Sequence, residues 1–280
     1  MSPDSSVSVL EGGSYASVCL DFDPARDGFS FHNRFEWTPD DLEVLATKLR
    51  PVTAAVVGAG GALGGAASGR KGGIAGLAAG ASLGLSGLAD GLVRRVARRW
   101  PTFGLCGGMA LTAVERWPQR GSVATADLEA APMRAMLRRA QERTLRASLP
   151  TFATWWLRAR ALRRATGPFA DALEGELGRV QSALEAGRPV VLGVVGDAPD
   201  PFALHQVVAF GIERQGRLDA TLTIYDPNAP GQSRTITTAP APGGHTAIST
   251  SMPTGVGPSG RVHVSTRPGH LHHLFVVDVG

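Results

Sequence analysis

Cysteine is nearly missing from this chain. Only Cys19 and Cys106 occur in 280 residues, too few for a disulfide framework, and no Cys-x-x-Cys pair or Cys/His spacing suggests zinc. Aromatic residues make up only 6% and are not interleaved with basic ones, so the base-stacking surface of a single-stranded nucleic-acid binder is lacking. A basic run followed by an apolar stretch is lacking too. Residues 1–11 are polar, and the expectation is a chain without a secretory signal, cytoplasmic by default, with non-classical export left open. Nor does one sign of charge dominate: 28 Lys and Arg face 24 Asp and Glu, a net of +4. Arg134, Arg138, Arg139, Arg143 and Arg146 recur at helical spacing among apolar residues, the pattern of a solvated helix face rather than a nucleic-acid footprint.

Cofactor signatures are equally thin, and no cofactor is expected. Val56 to Leu63 has the glycines of a dinucleotide-binding turn in part, but the third is misplaced and no second strand with a terminal acid follows. Gly69-Arg70-Lys71-Gly72 lacks the Lys-Ser/Thr of a phosphate-binding loop. His270-Leu271-His272-His273 has no acidic or cysteine partner nearby, so a solvated strand end is expected there rather than a metal site.

Glycine and alanine are what the chain has in excess. Residues 52–93 are nearly uncharged, with Gly61, Gly65, Gly69 and Gly73 in one four-residue register and Gly72, Gly76, Gly80 and Gly84 in the next. Small residues at that spacing line one helical face and let two backbones approach. Arg70-Lys71 splits the run, which predicts a glycine-zipper-like helical hairpin packed on itself or on the domain; membrane contact is the lesser reading. Before it, Tyr15 to Phe22 reads as a strand, Asp23-Pro24 as a turn and Thr38-Pro39-Asp40-Asp41 as a helix start. After it, helices are predicted over 106–117, 125–146, 150–165 and 167–187. From Pro189 onward the pattern switches to strands, over 189–195, 203–213, 218–225, 234–238, 261–265 and 271–279. Helices first and short strands later imply an α+β fold: helices packed on a mostly antiparallel C-terminal sheet. The predicted division is an N-terminal segment, 1–51, contributing to a catalytic domain; an inserted hairpin, 52–93; and the catalytic domain proper, 94–280.

Three motifs carry chemistry. In Phe103-Gly104-Leu105-Cys106-Gly107-Gly108-Met109-Ala110 a turn leads into a cysteine that opens an apolar helix. A sulfur there meets unpaired backbone N–H groups and the positive end of the helix dipole, which favour thiolate and can support an oxyanion. Gly107 and Gly108 leave out side chains that would obstruct a substrate. In His205-Gln206-Val207-Val208-Ala209-Phe210-Gly211-Ile212 a histidine heads a β-prone run, and in Ile224-Tyr225-Asp226-Pro227-Asn228 a carboxylate ends one. Each alone is ordinary: a buried cysteine, a packed histidine, a turn. Together, with Arg214-Gln215-Gly216 as the turn of a hairpin between the last two, they have the layout of a nucleophile–base–acid triad.

The order and texture of these three motifs resemble the papain-like cysteine peptidases, most nearly the branch with the bacteriocin leader peptidases and its bacterial relatives. The resemblance covers about 100–280. It implies a papain-like fold, Cys106 as nucleophile, His205 as general base and acid, and Asp226 as the orienting group, with Asn228 as the substitute if an amide fills the third role. Where that family has an oxyanion glutamine about six residues before the cysteine, this chain has Trp100; Asn33 and the backbone N–H groups near Gly107 and Gly108 are the candidate replacements. The expected function is hydrolysis of amide bonds in a peptide or protein. The alternatives are an acyltransferase or deamidase effector on the same fold, and a non-catalytic membrane- or protein-binding module built on the glycine-rich hairpin.

Overall fold

A computed structural model describes residues 6–9, 16–48, 90–91, 93–95, 97–98, 102–119, 130–161, 167–196, 205–241, 245–256, 262–264 and 271–279. The glycine-rich hairpin expected over 52–93 lies outside these residues apart from 90, 91 and 93, and so do Trp100 and the helix start expected at Thr125–Glu129. The chain forms two compact units, residues 1–33 with 105–280, and residues 34–104.

In the first unit the strand His205–Arg214 (β6) organises the sheet. Seven consecutive residues, Gln206 to Ile212, are buried, the pattern of a strand covered on both faces. One edge of β6 is shared by two strands. Val190–Gly196 (β5) pairs along its first half, with Val194 opposite His205, and Ala16–Cys19 (β2) along its second, with Cys19 opposite Gly211. The other edge holds Ala220–Tyr225 (β7), followed outward by Ser233–Ala241 (β8) and His245–Thr250 (β9). Leu271–Val276 (β12) pairs with β5, and Ser6–Val9 (β1) with β2, completing eight strands joined only by antiparallel pairings. β12 also touches β9, so the sheet curls towards closure. The α+β class is as the sequence predicts, but the sheet is not purely C-terminal. The Tyr15–Phe22 run pairs with β6 because Val18 and Leu20 bury their side chains in the same core. Pro253–Val256 (β10) and Val262–Val264 (β11) form a separate two-stranded ribbon.

Three helices cover the sheet: Cys106–Arg116 (α1), Ala130–Ala161 (α2) and Gly167–Glu185 (α3). Residues Cys106 to Ala113 of α1 are all buried, as a helix apolar all round must be, and α1 packs between α2 and β6. Two helices are predicted over 125–146 and 150–165, yet α2 runs unbroken through Pro150. A proline removes one N–H and crowds the carbonyl four residues back. That carbonyl belongs to Arg146, and both Arg146 and Pro150 are exposed, so water can satisfy it. Phe152, fully buried against Phe275 with ring centroids 4.8 Å apart, anchors the helix beyond the proline. Among the described residues, no helix is long and apolar enough to cross a membrane.

In the second unit Phe35–Glu36 (β3) pairs with Thr102–Phe103 (β4), and Trp37 stacks on Phe103 at 4.2 Å. Residues 39–48 are helical. Their start is closed by Thr38 and Asp41: the Asp41 carboxylate accepts from the Thr38 N–H at 3.0 Å and hydroxyl at 2.7 Å, and Thr38 Oγ1 accepts from the Asp41 N–H at 3.3 Å. That reciprocal arrangement is the helix start predicted from Thr38-Pro39-Asp40-Asp41.

Candidate active site

The register of β6 against β7 places the histidine and the carboxylate. Val208 lies opposite Tyr225, so the next residue beyond β7, Asp226, falls across from Val207. His205 shares a strand face with Val207, and diagonal neighbours on one face are within side-chain reach. His205 Nε2 lies 2.8 Å from Asp226 Oδ1. The hairpin turn spans Gln215 to Asp219, with the Gln215 N–H donating to the Asp219 carbonyl at 2.9 Å. It therefore sits slightly later than the predicted Arg214-Gln215-Gly216, because β6 carries an extra residue at the register shift between Ala209 and Gly211. Phe210, at that bulge, stacks on Phe22 at 5.1 Å.

Asp226 is fully buried. Its Oδ1 also accepts the Asn228 N–H at 2.8 Å, and its carbonyl accepts the Ala229 N–H at 2.8 Å, an Asx turn closed by Pro227. Oδ2 is buried with no hydrogen-bond partner among the described residues. The ring of His205 is half-buried, and Cys106 lies close enough to interact with it and favour its protonated form. Because Nε2 faces the carboxylate, Nδ1 is the nitrogen left for the sulfur. Burial alone would hold the imidazole neutral, but the charge and hydrogen bond of Asp226, reinforced by Cys106, overcome it and push the His205 pKa up to about 10.

Cys106 is the first residue of α1. The N-cap, Leu105, offers no side-chain hydrogen bond to the opening turn, so two amide side chains from far away in the chain take that role. Gln141 of α2 accepts the Gly108 N–H at 2.8 Å, and Asn33 Oδ1 accepts the Leu105 N–H. Asn33 then reaches across to the carboxylate corner: its N–H donates to the Pro227 carbonyl at 3.0 Å and its Nδ2 to Asn228 Oδ1 at 3.2 Å. The segment carrying it is held by Tyr225, whose hydroxyl accepts the Phe29 N–H at 3.0 Å. Only glycine fits at 28, where a Cβ would lie 2.5 Å from the Pro24 carbonyl and 2.8 Å from the Tyr225 ring.

Cys106, His205, Asp226, Asn228 and Asn33 thus converge on one end of the sheet. Asn228 turns Nδ2, not its oxygen, towards His205 Nε2, at 3.4 Å. The two glycines face elsewhere than expected. A Cβ on Gly107 would lie 2.2 Å from Gln206 Oε1 and 2.4 Å from Thr144 Oγ1, and one on Gly108 2.2 Å from the Leu137 carbonyl oxygen. Both are small because α1 packs tightly inside the protein, not to clear a substrate path. The Gly108 N–H is moreover used by Gln141 and so is no oxyanion donor. Gln141, Thr144, Ser148 and Gln206 form a polar layer beneath α1, with Gln206 Nε2 donating to Ser148 Oγ at 3.0 Å. No local sequence signal marks it.

Cys106 and Cys19 are not joined by a disulfide; Cys106 is buried and Cys19 is exposed on β2. His273 is buried with its ring 3.9 Å from that of Trp155, and burial together with the nearby Arg158 lowers its pKa to about 4. His270 lies outside the described residues. Among the described residues, no group of three or more His, Cys, Asp and Glu could hold a metal ion. Comparison with protein-family models, curated proteins and solved structures finds no match to this chain.

Proposed function

We propose that this chain is a papain-like cysteine hydrolase that cleaves amide bonds in peptides or proteins. The observation that carries the reading is the position of His205, held by Asp226 Oδ1 on one ring nitrogen and close enough to Cys106, at the start of a buried helix, for the two to interact. An antiparallel sheet packed against that helix agrees with a papain-like fold. In the reaction, Cys106 and His205 act as a thiolate–imidazolium pair. The sulfur attacks the carbonyl carbon, a C–S bond forms, and the C=O π electrons move to oxygen. That oxyanion meets the N–H groups opening α1 and the second hydrogen of Asn33 Nδ2. His205 gives its proton to the departing amine as the C–N bond breaks. Water then attacks the thioester with His205 taking its proton, and Cys106 leaves as thiolate.

The test is the rate of Cys106 alkylation by iodoacetamide against pH, in the parent protein and in His205→Ala. The pair predicts fast alkylation at pH 6 that falls at least tenfold in His205→Ala. A profile like that of a free thiol, unchanged by the substitution, would overturn the assignment. Exposed Cys19 is replaced by serine in both proteins so that one sulfur is read.

A further inference from the structure

Beside Asn228 the surface opens into a cleft of about 200 Å³ lined by His32, Asn228, Ala229, Pro230, Gln232 and Arg234. Its shape comes from the chain reversal between the Asp226 corner and β8. Gly231 takes a positive φ of 67° there, a conformation glycine adopts without strain, and Arg234, paired with Ile224 of β7, comes back alongside Asn228. None of the lining side chains is acidic. Arg234 spends one donor on a neutral partner, Nη2 to Gln232 Oε1, while its Nε is buried with no hydrogen-bond partner among the described residues. That buried Nε is closed to a ligand, but Nη1 is accessible and makes no hydrogen bond among the described residues, and the acceptor that suits the paired N–H groups of a guanidinium is a carboxylate. With its oxygen engaged by Arg234, Gln232 has only its amide N–H groups left to offer an anion. The His32 ring nitrogen Nδ1 is 3.1 Å from the Asn228 carbonyl and must donate to it.

We propose that this cleft binds a carboxylate of the peptide substrate, with Arg234 as the recognising residue, so that the protein selects peptides bearing an acidic side chain or a free C-terminal carboxylate near the cleaved bond. The inference rests on the hydrolase reading for its word substrate, but the cleft can be tested without catalysis. It adjoins the catalytic corner through Asn228, which lines the cleft and whose Nδ2 lies 3.4 Å from His205 Nε2. A charge-assisted fork makes the preference for a carboxylate over an isosteric amide about tenfold or more.

The experiment follows the Arg234 Nε–Hε signal in ¹⁵N-labelled Cys106→Ala protein, assigned by its loss in Arg234→Leu. Three probes are titrated: the α-amide of N-acetylglutamate, carrying only a side-chain carboxylate; N-acetylglutamine, carrying only a main-chain one; and N-acetylglutamine amide, carrying neither. At least one carboxylate should shift the signal and saturate about tenfold tighter than the uncharged probe, and which one does so names the source. In Arg234→Leu, other cleft signals should lose that preference. No shift, equal response to all three probes, or a preference that survives Arg234→Leu overturns the proposal. Cleavage of peptides by the parent protein is read separately. Carboxylate binding without cleavage of any peptide sinks the hydrolase and leaves the cleft standing; cleavage with no acidic preference does the reverse.

Discussion

Replacing Gly108 by alanine should destabilise the protein, although the same exchange in an ordinary helix stabilises it. The added Cβ would lie 2.2 Å from the Leu137 carbonyl oxygen, 3.0 Å from its carbon and 3.2 Å from the Gln141 nitrogen. All three are backbone atoms of α2, so none can rotate away and the two helices must separate by about 1 Å to restore van der Waals contact. Overpacking of this kind costs about 1–3 kcal/mol. Stretching the Gly108 N–H bond to Gln141 adds about 1 kcal/mol, and the better helix propensity of alanine returns about 1 kcal/mol. The net loss is about 2 kcal/mol, or roughly 4–8 °C in Tm for a chain of this size. Gly175 supplies the control. It lies in α3, exposed, with nothing within 4 Å of its would-be Cβ, so Gly175→Ala should gain up to about 1 kcal/mol. Urea unfolding of both variants decides the matter. If Gly108→Ala proves as stable as the parent while Gly175→Ala behaves as stated, the close approach of α1 to α2 is wrong, and with it the account of why glycine follows Cys106.

Two further predictions concern the charge at the site. Ring signals of His205 followed by NMR should titrate near pH 10 and move back towards the ordinary imidazole range in Asp226→Asn. Because the folded value lies above the unfolded one, this contribution to stability is complete below about pH 6.5 and is lost as pH rises through about 10; pH-dependent unfolding that shows no such loss in the parent relative to His205→Ala contradicts it. The two rivals for the third position separate under alkylation at pH 6. Asp226→Ala should slow the reaction of Cys106 nearly as much as His205→Ala does, whereas Asn228→Ala should change it less than threefold; the reverse ranking would make Asn228 the orienting group.

What the sequence makes legible is what depends on local pattern. The β-prone run that follows His205 marks a strand, and β6 is that strand. Thr38 followed three residues later by Asp41 marks a helix start, and the side chains close it as the motif requires. Pro150 misleads because the rule it invokes assumes a carbonyl that nothing can satisfy, and both Arg146 and Pro150 lie on an exposed stretch of the helix where water can do so. The glycines after Cys106 mislead in a different way. Sequence shows that side chains are missing there, but not which neighbour fills the space, and the neighbours are Gln206, Thr144 and the Leu137 backbone. The Gln141 cap is invisible for a related reason: it belongs to another helix, and an amide has no periodicity of its own.

Asn33 ties Cys106 and His205 into one corner although they lie 99 positions apart in the sequence. The Leu105 N–H can only donate, so the Asn33 atom facing it must be oxygen. The other end of that amide is then a donor, so the Asn228 atom it meets must also be oxygen, and the Asn228 nitrogen is left facing His205. An N–H group cannot accept the proton on Nε2. The polarity set at the start of α1 therefore turns the Asn228 amide nitrogen to the ring and leaves the hydrogen bond with Nε2 to Asp226, whose oxygen is 2.8 Å away. Distance alone would not separate the two residues; the direction of three successive hydrogen-bonding groups does.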